Sequence, residues 1–379
     1  MRVVAFRKRL IMILERVNWL KDLSIFFMLL VYIVVVAAVI ISHVFISYSM
    51  KNYENDLERK KNYWLDIFGS CKSKGTYVLE KRLIKKLKDS IMLATFSDAY
   101  NETRANNPDI KRILENNRVQ IIALGSKLRS HTMRAFFAYM LVGFDLRKPK
   151  KYQYFDDLML KYLFFNSVYV RENALLALFS FGNEKKIAEA FVSLSENNIY
   201  HSEKLLGDDM LKFTGDKTKL AEEIMDVFGK LGDCFKEAVI NFLRYTGNHH
   251  YDAELRCLLD NSDTSTDVMC CIIRLLSKFH SDQNGKAILK VLEDNYNSES
   301  WEPAAVAASS LVYYDSENTI QVLIRALNSK TWYVRVNSAK SLAAMKVSDA
   351  YISEIIGGND RYAIEELTYE LSQRKVDTI

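Results

Sequence analysis

The sequence predicts an all-α protein, in which one N-terminal transmembrane helix is followed by an α-solenoid of helix pairs. Three observations carry this reading. The 379 residues include only 13 Gly and 3 Pro, too few for a sheet protein whose hairpins need tight turns. From Leu23 to Met50 the chain has no Asp, Glu, Lys or Arg. Farther on, leucines recur in matching contexts at Leu178, Leu211, Leu243, Leu276, Leu311 and Leu342, at intervals of 33, 32, 33, 35 and 31 residues.

Hydrophobic residues make up 49% and charged residues 26% of the chain, which supports a packed core and excludes general disorder. The net charge of +5 is unevenly spread: residues 1–50 hold 6 Lys/Arg against 2 Asp/Glu, residues 51–150 hold 21 against 11, and residues 151–379 hold 25 against 34. Four segments follow: a basic N-terminal arm (1–22), a transmembrane helix (23–47), a basic membrane-proximal helical region with a divergent first repeat at its end (48–150), and a repeat array with a C-terminal cap (151–379).

The apolar segment is the anchor. A helix of about 20 apolar residues crosses the hydrocarbon core, whereas a signal peptide has an apolar region of only about 7–15 residues. Orientation is read from opposing signs. The arm carries Arg2, Arg7, Lys8, Arg9, Arg16 and Lys21, against Lys51, Arg59, Lys60 and Lys61 just after the span, which favours an exported domain. The cysteines Cys71, Cys234, Cys257, Cys270 and Cys271 are odd in number and irregularly spaced, which suits free thiols in a reducing compartment. The basic region after the span would also be drawn to an anionic cytoplasmic leaflet. Cytoplasmic placement is the reading adopted.

Beyond the span, Lys51–Phe68 reads as a continuing helix. The segment 79–88 reads as a basic amphipathic helix with Leu79, Leu83, Ile84 and Leu87 on one face. Its cations Lys81, Arg82, Lys85, Lys86 and Lys88 are candidate contacts for lipid or an acidic partner. Residues 101–108 read as a polar loop, whose sequon at Asn101 carries no weight.

The repeats give the array. Four positions before each recurring leucine stands Ala174, Gly207, Val239, Ile272, Ala307 or Ser338, and seven before stand the basic residues Arg171, Lys204, Lys236 and Arg335. The i, i+4, i+7 spacing places them on one helical stripe. Gly182, Gly215 and Gly247 read as helix stops. Upstream helices are expected over 221–231, 253–259, 287–292 and 319–327. Helix pairs of this size bury their apolar faces only by stacking. Leu141, with Phe137 and Arg134 before it, reads as an earlier copy. The charged helix at 360–375 reads as the cap.

The segment 328–342, with Val334-Arg335, Ala339 and Leu342, resembles the second half of a HEAT repeat of the short bacterial type, related to the repeats of phycobilisome lyases. Residues 169–178, with Val170-Arg171, Ala174 and Leu178, are similar. The resemblance covers roughly residues 155–350. It implies HEAT-like helix pairs, with Arg171 and Arg335 making structural hydrogen bonds between neighbouring units. Ser329, and Asn166 or Ser167, stand where the family has an aspartate.

No phosphate-cradling loop, nucleophile elbow or His-Glu-x-x-His metal motif occurs. The acidic pairs at 156–157, 208–209 and 222–223 read as helix starts. The aromatic run Tyr152, Tyr154, Phe155, Tyr162, Phe164 and Phe165 reads as core with some groove anchors. No catalytic, cofactor or metal residues are assigned, and no small-molecule substrate is expected. The expected function is a membrane-anchored, non-enzymatic scaffold for a membrane-associated protein, in a setting such as a bacterial envelope or polysaccharide assembly. The alternatives are a HEAT-like lyase-type enzyme and a nucleic-acid-binding helical array; the acidic charge of residues 151–379 opposes the latter.

Overall fold

The computed structural model describes the backbone of residues 2–144, 146, 149–345 and 347–377, and side chains within 27–144, 146, 154–345 and 347–373. The side chains of the basic arm and of Tyr152 lie outside the described residues. Among the described residues the regular secondary structure is helical, without strands. The chain divides into two compact units, residues 1–124 and 125–379, so residues 125–144 pack with the second unit.

The first unit opens with α1 (Arg2–Lys74), a continuous helix of 73 residues. Every described side chain from Phe27 to Met50 is exposed, and the stretch has a mean hydropathy of 2.9 over its most apolar window. The helix is long and apolar enough to cross a membrane. Its distal part is amphipathic: Trp64, Phe68 and Cys71, at i, i+4 and i+7, are buried. They face α3 (Ser90–Asn106), reached through the six-residue α2 (Lys81–Lys86). Phe96 packs edge-on against Trp64 and Phe68, at centroid distances of 5.2 and 5.5 Å, and the Trp64 indole donates to Met92 O at 3.1 Å. Two short helices, α4 (Arg112–Asn116) and α5 (Arg118–Lys127), follow. Asn117 is fully buried and holds the chain before α2: its Oδ1 accepts from Leu79 N at 2.8 Å and its Nδ2 donates to Tyr77 O at 3.0 Å.

Two local expectations change here. Residues 101–106 are helix, not loop, because Asp89 caps α3 by accepting from Met92 N and buried Ala99 and Tyr100 carry the apolar stripe onward. The basic helix is only Lys81–Lys86; Leu79 and Leu87 lie outside it yet are buried.

The second unit comprises α6 (His131–Gly143), α7 (Pro149–Tyr162), α8 (Val168–Phe181), α9 (Glu184–Glu196), α10 (Glu203–Leu211), α11 (Lys217–Met225), α12 (Asp233–Thr246), α13 (Asp252–Leu259), α14 (Thr266–Leu276), α15 (Asp282–Asn295), α16 (Glu302–Ser310), α17 (Glu317–Ala326), α18 (Trp332–Ala344), α19 (Asp349–Ile356) and α20 (Arg361–Asp377). Even-numbered helices from α6 to α20 pack each against the next even one, and α9–α11, α13–α15 and α15–α17 pack likewise. Boundaries follow capping chemistry. Asp216, Ser281 and Ser316 accept backbone N–H groups at the starts of α11, α15 and α17. Gly182 and Gly247 end α8 and α12 in the left-handed conformation, at φ 72° and 77°. Gly215 does not end a helix: α10 stops at Leu211 with Lys212 as its C-cap.

The acidic pairs are not at helix starts. Asp156-Asp157 sits in the middle of α7, and Asp208-Asp209 and Glu222-Glu223 lie in the later turns of α10 and α11. Partners stabilise some of them: Lys212 reaches Asp209 at 3.1 Å, and Asn183 Nδ2 donates to Asp156 Oδ2 at 2.8 Å.

Candidate binding surface

The repeat positions come first. Leu178, Leu243, Leu276, Leu311 and Leu342 are buried. Leu211 is only half-buried; its neighbour Met210 is fully buried instead, beside Leu206 and Gly207. Arg171 Nη1 donates to Phe165 O at 3.1 Å, and Arg335 Nη1 donates to Ser329 O at 2.6 Å. Each arginine thus ties down the turn six residues before it, and the Arg335 guanidinium also lies 5.3 Å from the ring centroid of Tyr362 in α20. Ser329, buried at the aspartate position, also bridges: its hydroxyl donates to Tyr296 O and accepts from Thr331 N. Of the aromatic run, Phe155 and Tyr162 are buried while Tyr154 and Phe164 are exposed.

The five cations of residues 81–88 are all exposed. The apolar residues beneath them are occupied: Leu79, Ile84 and Leu87 are 4%, 6% and 1% exposed. The segment keeps a charged outer face, and of its four apolar residues only Leu83 is half-exposed.

A cleft of about 610 Å³ lies beside the loop from α9 to α10 and the first turns of α12 and α14. Asn198 sits at φ 52° in that loop, and Ile199 N returns to Leu194 O at 2.9 Å. Ser195 Oγ donates to Phe191 O at 2.8 Å and accepts from Gly232 N at 3.0 Å, joining the loop to the start of α12. His201 is buried, with Nδ1 2.9 Å from Glu172 Oε1, which fixes the loop from the α8 side.

Glu203, Asp233, Glu237 and Asp267 line the cleft, with Tyr200 exposed at its rim. Glu203, Asp233 and Asp267 lie in the first turns of α10, α12 and α14, where the helix dipole favours negative charge. Glu237 lies one turn deeper on α12. Burial, and then the charges of Asp267, Glu203 and Asp233, push its carboxyl up to about 7. The cleft therefore favours a cationic group, whose arrival would hold Glu237 ionised.

Burial raises the Cys234 thiol above its ordinary value, so the thiolate is disfavoured. Ser195 spends its hydroxyl on backbone groups and forms no bond to His201 Nε2. Among the described residues, no three His, Cys, Asp or Glu side chains are placed to hold a metal ion. His249 and His250 are exposed turn residues whose rings lie against Phe279 and Tyr251.

Sequence reasoning missed this cleft, although a signal existed: an acidic residue opens α10, α12 and α14 eight to ten residues before Leu211, Leu243 and Leu276. Comparison with protein-family models gives no match for this chain, and comparison with curated protein sequences gives none either. The HEAT-like resemblance therefore rests on the sequence segments 169–178 and 328–342 alone.

Proposed function

We propose that this chain is a membrane-anchored, non-enzymatic scaffold whose second unit is an α-solenoid of HEAT-like helix pairs, binding a protein partner along its surface. The observation that carries this reading is the register of bonds between successive pairs. Asn337 to Ala305 O spans 32 residues, Ser341 to Ala308 O spans 33, and Thr214 to Ser180 O and Lys278 to Arg244 O each span 34. A bond pattern with the period of the sequence repeat is what stacked units require.

The exposed apolar stretch of α1 is the anchor in this reading, and the acidic cleft is the seat of a Lys- or Arg-bearing segment of the partner. The partner is a membrane-associated protein, in a setting such as an envelope or polysaccharide assembly, with the array on the cytoplasmic side. The test is affinity capture of full-length protein from detergent-solubilised membranes, alongside the Glu203→Gln/Glu237→Gln/Asp267→Asn variant. Enrichment of one integral-membrane protein that the variant loses supports the reading. Capture of no membrane protein, or capture indifferent to the variant, argues against it. Impermeant maleimide should reach Cys257, the exposed thiol, only after permeabilisation.

A further inference from the structure

The cations that follow the apolar stretch fall into two groups. Among those nearer to it, Arg59 and Lys60 share the Asp56 carboxylate at 2.5 and 2.7 Å and Lys61 pairs with Glu102 at 2.5 Å, while Lys51 is exposed without an ion-pair partner among the described residues. On and beside α2 the pattern reverses. Lys81, Arg82, Lys85 and Lys88 are exposed, and among the described residues none has an ion-pair partner. Four unpaired cations thus fall within eight residues on one short ridge.

That ridge is held away from the apolar stretch. Lys86 Nζ donates to Tyr63 Oη at 2.9 Å and lies 4.4 Å from the Tyr63 ring centroid, which fixes the end of α2 at the level of Tyr63. At 1.5 Å per residue, Tyr63 is about 20 Å along α1 from Met50. Charge interactions with a headgroup surface fade over about 8 Å at physiological ionic strength, and a tilt of about 20° barely shortens the gap. An interfacial helix also needs an apolar face to insert, and the face formed by Leu79, Ile84 and Leu87 is already buried.

Single-stranded nucleic acid fits poorly as well, because its capture uses exposed rings for base stacking. Lys86 covers Tyr63, and Tyr77 is 5% exposed with Arg112 above it. Closely spaced cations on one ridge complement an anionic surface with its charges on short stems, as several Asp and Glu side chains in one segment provide.

We infer that the ridge of Lys81, Arg82, Lys85 and Lys88 is a docking surface for an acidic polypeptide segment, presented clear of the bilayer. The distance argument rests on α1 being the membrane span; the charge pattern does not.

The experiment places the full-length chain in phosphatidylcholine nanodiscs and follows a fluorescent oligoglutamate peptide by anisotropy. The Lys81→Gln/Arg82→Gln/Lys85→Gln/Lys88→Gln variant should bind about ten-fold more weakly. A control with four exposed lysines of the second unit replaced, Lys217, Lys219, Lys230 and Lys286, should bind like the parent. A fluorophore at Lys85→Cys, in a Cys257→Ser background, should stay unquenched by headgroup-labelled lipid when phosphatidylglycerol is added to the discs. Equal binding by parent and ridge variant, equal loss in both variants, or quenching by the lipid each overturns the inference. A chain that fails to enter discs would refute the span instead, and the peptide titration in detergent-free solution would still decide the ridge.

Discussion

The Ser341 hydroxyl donates to the carbonyl of Ala308 at 2.7 Å, joining α18 to α16 across 33 residues of chain. Both residues are buried, so the bond forms where water cannot replace it. Removing the hydroxyl leaves a buried acceptor short of a partner, at a cost of about 1 kcal/mol. Ser341→Ala should lower the unfolding midpoint of the second unit by about 2–4 °C. Ser309→Ala, which loses only a bond to Val306 O within its own helix, should leave it within error. A calorimetric scan of each variant checks this.

Asn284 is a denser junction. It is fully buried: its Nδ2 donates to Asp252 Oδ2 at 3.0 Å and Phe279 O at 2.8 Å, and its Oδ1 accepts from Arg256 Nη1 at 2.5 Å. The side chain thereby ties α13, α15 and the turn after α14 together. Asn284→Leu should destabilise by about 2–4 kcal/mol, because it strands Asp252 and the Phe279 carbonyl and leaves Arg256 with only its bond to Gln283. Chemical denaturation should show a lower midpoint with an unchanged slope. A midpoint equal to that of the parent would contradict the role.

Much of this architecture is legible in the sequence, because it depends on apolar periodicity. The charge-free stretch at 23–50 announces α1, and the leucine recurrence announces α8, α12, α14, α16 and α18. Misreadings occur where tertiary contacts decide. Residues 101–106 look like loop, but Thr103 Oγ1 bonds Ala99 O and Glu102 meets Lys61, which carries the helix on. Leu211 holds the repeat spacing, but α10 has only nine residues and turns Met210 inward instead. The acidic cleft is hidden for another reason: its residues come from three helices, and only folding adds Glu237 to Glu203, Asp233 and Asp267.

Asp156 gives a pH signature. Burial pushes its carboxyl up to about 6, against the opposing pull of the Asn183 hydrogen bond and of Lys186. Its ordinary value in an unfolded chain is about 3.9. The folded pKa is the higher one, so the stabilising contribution is complete below the unfolded value and is lost as pH rises through about 6. Stability should therefore fall by up to about 2–3 kcal/mol over that window. Asp156→Asn should flatten this slope and leave the protein more stable than the parent at neutral pH. Midpoints measured across the window in both proteins test it.

Glu237 makes cleft binding pH-dependent in the opposite sense. Its carboxyl titrates at about 7, and only the ionised form attracts a cation. Affinity for a lysine-bearing peptide should rise by up to about ten-fold from roughly pH 6 to pH 8. Glu237→Gln should bind weakly with no rise. Calorimetric titration at the two pH values measures both. A parent affinity that falls with pH would contradict the cleft as the cation seat.

Alkaline extraction of membranes tests whether α1 anchors the chain in a bilayer. The full-length chain should stay in the membrane pellet, while a chain lacking Phe27–Met50 should be released. Release of the full-length chain into the alkaline supernatant would contradict it.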